Sequence, residues 1–326
     1  MAIKLTMGFG DNPRIQPLKD GTVKPDSIEL EFVPSRNLFY HNLAVDDLDC
    51  SEMSISETLL ARERTDGTKW DWAAVPIFMS RAHGWTDLCV SDASGIKDLA
   101  GLKGKNVAVP DYDMTAALWL RCALKDLYGI EASDINWFNV RPRGESHGME
   151  LGLDKTPPPG INLKWHPAGL DANAALNSRE VDAVRGLGQT RIDTNPNIHT
   201  LLPDSGKAVL SEHFQKTGFL HTNHHVIIQN RIVKEHPWVP MELYRAFQRA
   251  KEVSFQRARQ RDSAYLYFQQ TEFNEQAAVF GDDPYPFGIK NMRPMLERLF
   301  QGSLEQGLIR KPASVDEVYH PSTLDT

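Results

Sequence analysis

The chain has 326 residues, 41% hydrophobic and 24% charged, with a formal net charge of -7 and a mean hydropathy of -0.42. That length exceeds one ordinary core and predicts two lobes of roughly 100–200 residues each. The acidic balance argues against a nucleic-acid partner, since phosphate binding needs a basic face, and no apolar run approaches the roughly 18–20 residues of a membrane span.

The first segment, MAIKLTMGFG, has no apolar run followed by a small-residue cleavage site, so a cytoplasmic protein is expected. Ile3, Leu5, Met7 and Phe9 alternate as in a strand. Ile28 to Val33 reads as a second strand and Leu48 to Ile55 as a third, running through SEMSISE into a helical stretch from Thr58 to Arg64. Cys50, Cys89 and Cys122 are odd in number and far apart, which signals neither a disulfide framework nor a thiolate metal site. Val75 to Phe78 and Trp85 to Ser91 are further extended runs.

The segment from Leu102 to Gly129 carries the clearest local signal. Asn106 to Val109 is β-branched and closed by Pro110, and Asp113 stands where a helix N-cap is expected. Ala116, Leu120, Leu124 and Leu127 recur at helical spacing, and Gly129 fits a left-handed C-cap. A helix opening at the end of a parallel strand turns unpaired N–H groups toward a crevice, which suits a carboxylate or a phosphate.

Ile135 to Val140 and Val181 to Val184 continue the strand series, while KTPPPGI at 155–161 is a surface loop, because consecutive prolines favour extended, unpaired backbone. FLHTNHHVIIQN, after Gly218, is a strand followed by a long helix over Met241 to Arg259. Strands alternating with helices imply parallel βαβ units, and a central set of strands inserted in a first set gives two lobes with a ligand cleft between them. GLKGKN lacks the P-loop spacing and no GxGxxG follows a strand, so nucleotide binding has no support.

SEMSIS at 51–56, VPDYDMTAALWLR at 109–121, VDAV at 181–184, the TG and HVII of 217–228, and DDPYPFGIKN, EQGLI and HPSTLD near the end carry a resemblance. The chain resembles the 4,5-dihydroxyphthalate decarboxylase family. The resemblance implies an α/β, two-lobed, type II periplasmic-binding-protein-like architecture, with a mixed, mostly parallel sheet in each lobe and an interlobe cleft. Residues 1–88 and 226–326 would form lobe I and residues 89–225 lobe II. It also implies a homo-oligomer whose partner is a small aromatic carboxylate, and loss of carbon dioxide from a ring with two neighbouring carboxylates and hydroxyls. The chemistry needs a proton donor facing a ring carbon and a clamp for the spectator carboxylate, and no redox cofactor.

If Leu220 to Ile228 is extended, His221, Asn223 and His225 share one face and His224 points the other way. The family pattern places a histidine at His225, which makes it the expected proton donor, with His221 beside it. His221, Asn223 and His224 depart from that pattern. A divalent metal held by His221 and His225 is the alternative to a cofactor-free site. Glu52 is expected to accept from a ring hydroxyl, and Ser54, Ser56 and Thr115 to donate to a carboxylate or to ring hydroxyls. Arg81, matching a family arginine, is expected to take the spectator carboxylate bidentately, with Arg36 as a second clamp. A binding protein that captures an aromatic acid without chemistry is the competing reading.

Overall fold

The computed structural model describes residues 2–80, 85, 87–166, 172–186, 196–218, 220–261 and 267–326. Eleven strands are named among them: β1 (Ile3–Gly8), β2 (Ile28–Phe32), β3 (Cys50–Ser54), β4 (Trp72–Val75), β5 (Leu88–Ser91), β6 (Asn106–Val109), β7 (Asn136–Asn139), β8 (Leu163–Trp165), β9 (Ala183–Arg185), β10 (Ile198–Thr200) and β11 (His224–Gln229). They form two sheets, in the orders β2-β1-β3-β11-β4 and β10-β5-β9-β6-β7-β8.

Pairing is parallel within each sheet except around one strand. β11 runs antiparallel to β3 and β4, and β5 runs antiparallel to β9 and β10. These are the strands that follow each passage of the chain from one sheet to the other. The two passages lie side by side: the Asn223 N–H and the Thr222 hydroxyl both donate to Ser80 O, at 2.9 and 2.8 Å. Every residue of β3 is buried, as a central strand covered on both faces requires.

Four helices position the site: α1 (Ile55–Arg64), α2 (Thr115–Tyr128), α3 (Val239–Arg261) and α4 (Ile289–Glu305). From Thr115 through Leu124 every residue of α2 is buried, and the helix packs against α1 and α4. The buried Arg121 is engaged inside that packing, with its guanidinium 3.6 Å from the Tyr112 ring centroid, a bond to Tyr112 O at 2.9 Å and another to the Gln306 side chain. Gly129 ends α2 with φ 65, the left-handed conformation that glycine adopts without strain.

The N-terminus of α2 differs from the expectation. Met114, not Asp113, holds the N-cap position, and its side chain makes no capping bond. The cap hydroxyl comes from the first sheet instead: Ser54 Oγ accepts from Thr115 N at 3.3 Å. Tertiary contact has replaced a local cap.

α4 meets α2 through Gly302, where a Cβ would run into Cys122 Sγ and sit 3.1 Å from Arg298 Nη1. The substitution Gly302→Ala should therefore destabilise the chain by about 1–3 kcal/mol through overpacking, although alanine is the better helix former. Chemical denaturation measures the change; equal or greater stability in the variant would contradict this packing.

Candidate functional site

β3 ends at Ser54, which caps α1, and the turn after β6 leads into α2, so two helix N-termini meet between the sheets. Ser54 Oγ and Thr115 Oγ1 lie 2.9 Å apart, and Ser56 N donates to Thr115 Oγ1 at 2.9 Å. All three residues are buried. Ser54 and Thr115, expected to serve a ligand, are thus occupied in joining the two halves. Ser56 contributes its backbone to that join, and its buried hydroxyl has no hydrogen-bond partner among the described residues.

Beside this junction, Glu57 in the first turn of α1 bonds His147 Nδ1 of the second half at 2.9 Å, with both side chains buried. Asp111 is held by Arg141 and by the Ser146 hydroxyl at 2.6 Å. Asp113 is fully buried, and neither carboxyl oxygen has a hydrogen-bond partner among the described residues. Burial, reinforced by the Asp111 and Glu57 charges, pushes its pKa well above the usual carboxylate range. The setting favours the neutral form of Asp113.

The next constellation lies on β3 and β11. In their antiparallel register His224 faces Ser54 and Val226 faces Glu52, which brings His224 and Glu52 to the same side of the sheet. His224 Nδ1 bonds Glu52 Oε1 at 2.7 Å. The His224 side chain is 19% exposed, and its ring meets Phe39 edge-on at 4.5 Å between centroids. Phe39 also meets His147, at 6.3 Å.

Arg14 supplies the cation near Glu52. Its charge interacts with Glu52 and Tyr285, and its guanidinium lies 4.1 Å from the Tyr285 ring centroid while bonding Met79 O. Asn12 fixes the same turn: Oδ1 accepts from Arg14 N at 3.0 Å and Nδ2 donates to Met79 O at 2.9 Å. Met79 N in turn donates to His224 O at 3.2 Å. Burial lowers the Arg14 pKa from its ordinary value, leaving it a cation throughout the working range, since arginine starts so high.

Three sequence expectations need correction. His225 is fully buried on the face opposite His224, with Nε2 on the Thr58 hydroxyl at 2.8 Å and Nδ1 on the Tyr319 hydroxyl at 3.0 Å. Burial pushes its pKa down to about 3, with His224 adding to the effect, so it is neutral and has no spare proton. The extended run starts only at His224, and the backbone from Leu220 to Asn223 is irregular, so the expected sharing of one face by His221 and His225 has no basis.

His221 stacks on Trp119 at 3.8 Å and meets Trp85 and His213 edge-on, in an aromatic box. With both nitrogens of His225 engaged, this pair does not form a cation site, and no group of three or more His, Cys, Asp and Glu side chains among the described residues is arranged to hold a metal ion. Arg36 is exposed after β2. Arg81 lies outside the described residues.

Sequence reasoning did not find Arg14, Glu57, the buried setting of Asp113, or His147. One signal pointed to Arg14, because Asn-Pro-Arg follows the end of β1 with three residues between, and ligands of such sheets gather beyond the carboxyl ends of strands. Glu57 stands three residues after Ser54, the spacing of a capping box, which hides an inter-lobe partner behind a local explanation.

No protein-family model matches the chain. A curated relative from Comamonas testosteroni, named 4,5-dihydroxyphthalate decarboxylase, is 27% identical over 330 residues, covering 99% of this chain and 98% of the relative. One of the same name from Pseudomonas putida is 32% identical over 186 residues, 56% of this chain and 70% of the relative. The periplasmic aliphatic sulphonate binding protein SsuA from Escherichia coli superposes with a TM-score of 0.56 at 15% identity, covering 98% of this chain and 92% of that one. The fold is that of the periplasmic binding proteins, as expected.

The Glu57–His147 pair sets a pH dependence of defined sign. Burial opposes charge on His147, but the Glu57 carboxylate outweighs it and raises the pKa above 6.5. Burial likewise opposes charge on Glu57, but His147 and Arg141 outweigh it and lower the pKa below 4.5. The pair is fully stabilising from pH 4.5 to 6.5 and is lost as pH rises through the raised His147 value or falls through the lowered Glu57 value. Asp113 adds a loss of stability as pH rises above 3.8, because folding favours its neutral form. The thermal midpoint should fall as the solution is made alkaline, and less steeply in the Glu57→Gln/His147→Gln double variant. His147→Gln alone, which strands a buried carboxylate, should cost about 3–5 kcal/mol near pH 6. Equal alkaline slopes in calorimetry would refute the assignment.

Proposed function

This chain belongs to the 4,5-dihydroxyphthalate decarboxylase family, and from that membership we propose that it is a carboxy-lyase acting on a hydroxylated aromatic dicarboxylate. The reaction would convert 4,5-dihydroxyphthalate to 3,4-dihydroxybenzoate. The observation that carries the reading is the Glu52–His224 pair, partly open to solvent, with an aromatic ring on one side and the Arg14 cation nearby.

The ring carbon bearing the departing carboxylate lies para to a hydroxyl, whose oxygen can feed electrons to it. His224, as imidazolium, gives its proton to that carbon, forming the new C–H bond and a ring cation delocalised onto the para oxygen. The C–carboxylate bond then breaks, its electron pair restores the aromatic ring, and carbon dioxide leaves. The imidazole regains a proton from solvent, so one proton replaces one carbon dioxide in the net reaction. Glu52 holds Nδ1, which fixes the ring orientation and stabilises the imidazolium, leaving Nε2 to face the substrate.

Arg14 is suited to the spectator carboxylate, since a guanidinium presents paired donors to two carboxylate oxygens. Arg81 is retained by sequence as a further cation. Phe39 offers an apolar wall for the substrate ring, beside which a departing carboxylate is poorly solvated.

Purified protein incubated with 4,5-dihydroxyphthalate should release carbon dioxide. His224→Asn should lower kcat by about 10²–10⁴ with little change in binding, whereas Arg14→Ala should act mainly by raising KM, about tenfold or more. A protein that bound the acid tightly and released no gas would be the capture protein of the competing reading, and an active His224→Asn variant would remove the proposed donor.

A further inference from the structure

The DDPYPFGIKN string resembles nothing in the proton-transfer machinery, yet its loop is built with unusual care for a surface segment. Lys251 on α3 is 2% exposed, and its ammonium bonds Asp283 Oδ2 at 2.6 Å and Tyr285 O at 2.8 Å. It also stands 4.5 Å from the Phe287 ring centroid. Asp283 Oδ1 accepts from Tyr285 N at 2.9 Å. Both backbone groups of Tyr285 are therefore pinned by one ion pair between the buried Lys251 and the exposed Asp283, and a buried ammonium is tolerated only when it is so engaged.

What that clamp delivers is the Tyr285 ring beneath Arg14. The guanidinium has the ring on one side, 4.1 Å from its centroid, and Met79 O along its edge, while Arg14 Nε is buried with no hydrogen-bond partner among the described residues. Asn12 and Pro13 fix the backbone that carries it. A long side chain ordinarily loses rotamer freedom when it binds a carboxylate. Here the platform removes that freedom in advance.

We propose that Tyr285, held by Lys251 and Asp283, is a positioning residue that preorganises Arg14 to take a carboxylate of an aromatic dicarboxylate ligand. The proposal rests on the reading of Arg14 as an anion clamp, and not on the decarboxylation step. A cation over a tyrosine ring in a partly desolvated setting is strengthened enough for its loss to weaken a ligand held by that cation about tenfold.

Phthalate, an aromatic dicarboxylate without ring hydroxyls, is the probe, titrated by calorimetry into the full chain and its variants. Tyr285→Leu should weaken binding about tenfold, and Tyr285→Phe, which keeps the ring, should recover most of that loss. Arg14→Ala and the double variant Arg14→Ala/Tyr285→Leu should bind equally weakly, because the platform acts only through the guanidinium. Tyr285 is half-buried at the surface, so these variants should fold, with thermal midpoints near that of the unaltered chain. Unchanged affinity in Tyr285→Leu, losses that multiply in the double variant, or an unaltered chain that binds no phthalate would each overturn the proposal. Since binding is read, a chain that behaves as expected here and yet releases no carbon dioxide would refute the decarboxylase reading alone.

Discussion

The arrangement depends on two helix N-termini, α1 and α2, meeting head to head between the sheets. Each end carries a partial positive charge of about half an elementary unit, and bringing two together in a buried place is unfavourable unless hydrogen bonds and negative groups offset it. The Ser54 and Thr115 hydroxyls supply the hydrogen bonds, each accepting from an amide of the opposite helix. Glu57, Asp111 and Asp113 supply more acid than the two ends can stabilise as free charge. The surplus is resolved residue by residue: Arg141 pairs with Asp111, His147 pairs with Glu57, and Asp113 is pushed toward its neutral form. Joining the halves thus absorbs the very groups that an open cleft would offer to an anion.

That outcome moves anion recognition elsewhere. Beside that junction, among the described residues, Arg14, Glu52 and His224 stand together on turns and strands of the first sheet. The three carry different tasks because their surroundings differ. Arg14 is fixed by a ring and a carbonyl, Glu52 is almost fully enclosed, and His224 retains some solvent contact. An acid–base residue needs that last property, since it must recover a proton after every turnover. His225, one residue along, has the same chemistry and none of the access; hydrogen bonds at both nitrogens and complete burial make it a structural residue.

Much of the fold was legible in the sequence because its signals are local. β6 and the α2 segment showed a β-branched run, a proline stop, helical apolar spacing and a terminal glycine, and each corresponds to the observed element. The site was less legible because it is made by register and by contact across the halves. Reading the strand as beginning at Leu220 instead of at His224 changes which histidines appear to be companions, and a single-residue parity decides which of His224 and His225 meets Glu52. Ser54, Ser56 and Thr115 were recognised as hydroxyl donors, but nothing in their own segments indicates that they would donate and accept among themselves. Asp113 reads as a cap from its neighbours alone; only the approach of Ser54 from the other sheet makes that cap unnecessary.

The likeness of fold to a sulphonate-binding protein sharpens the question of what separates capture from catalysis in this architecture. Capture requires only that an anion be held, which fixed donors accomplish. Decarboxylation also requires that a proton reach a carbon atom, which no backbone amide or guanidinium can supply at neutral pH. A histidine whose second nitrogen is tied to a carboxylate meets that requirement, and in this chain the tie is formed by two residues, Glu52 and His224, brought together solely by the antiparallel entry of β11 into an otherwise parallel arrangement of β1, β2 and β3. Had β11 joined with the opposite parity, His225 and not His224 would share the face of Glu52. The strand that returns the chain to its first sheet therefore does more than complete a core: its register creates the acid–base pair on which the proposed chemistry depends.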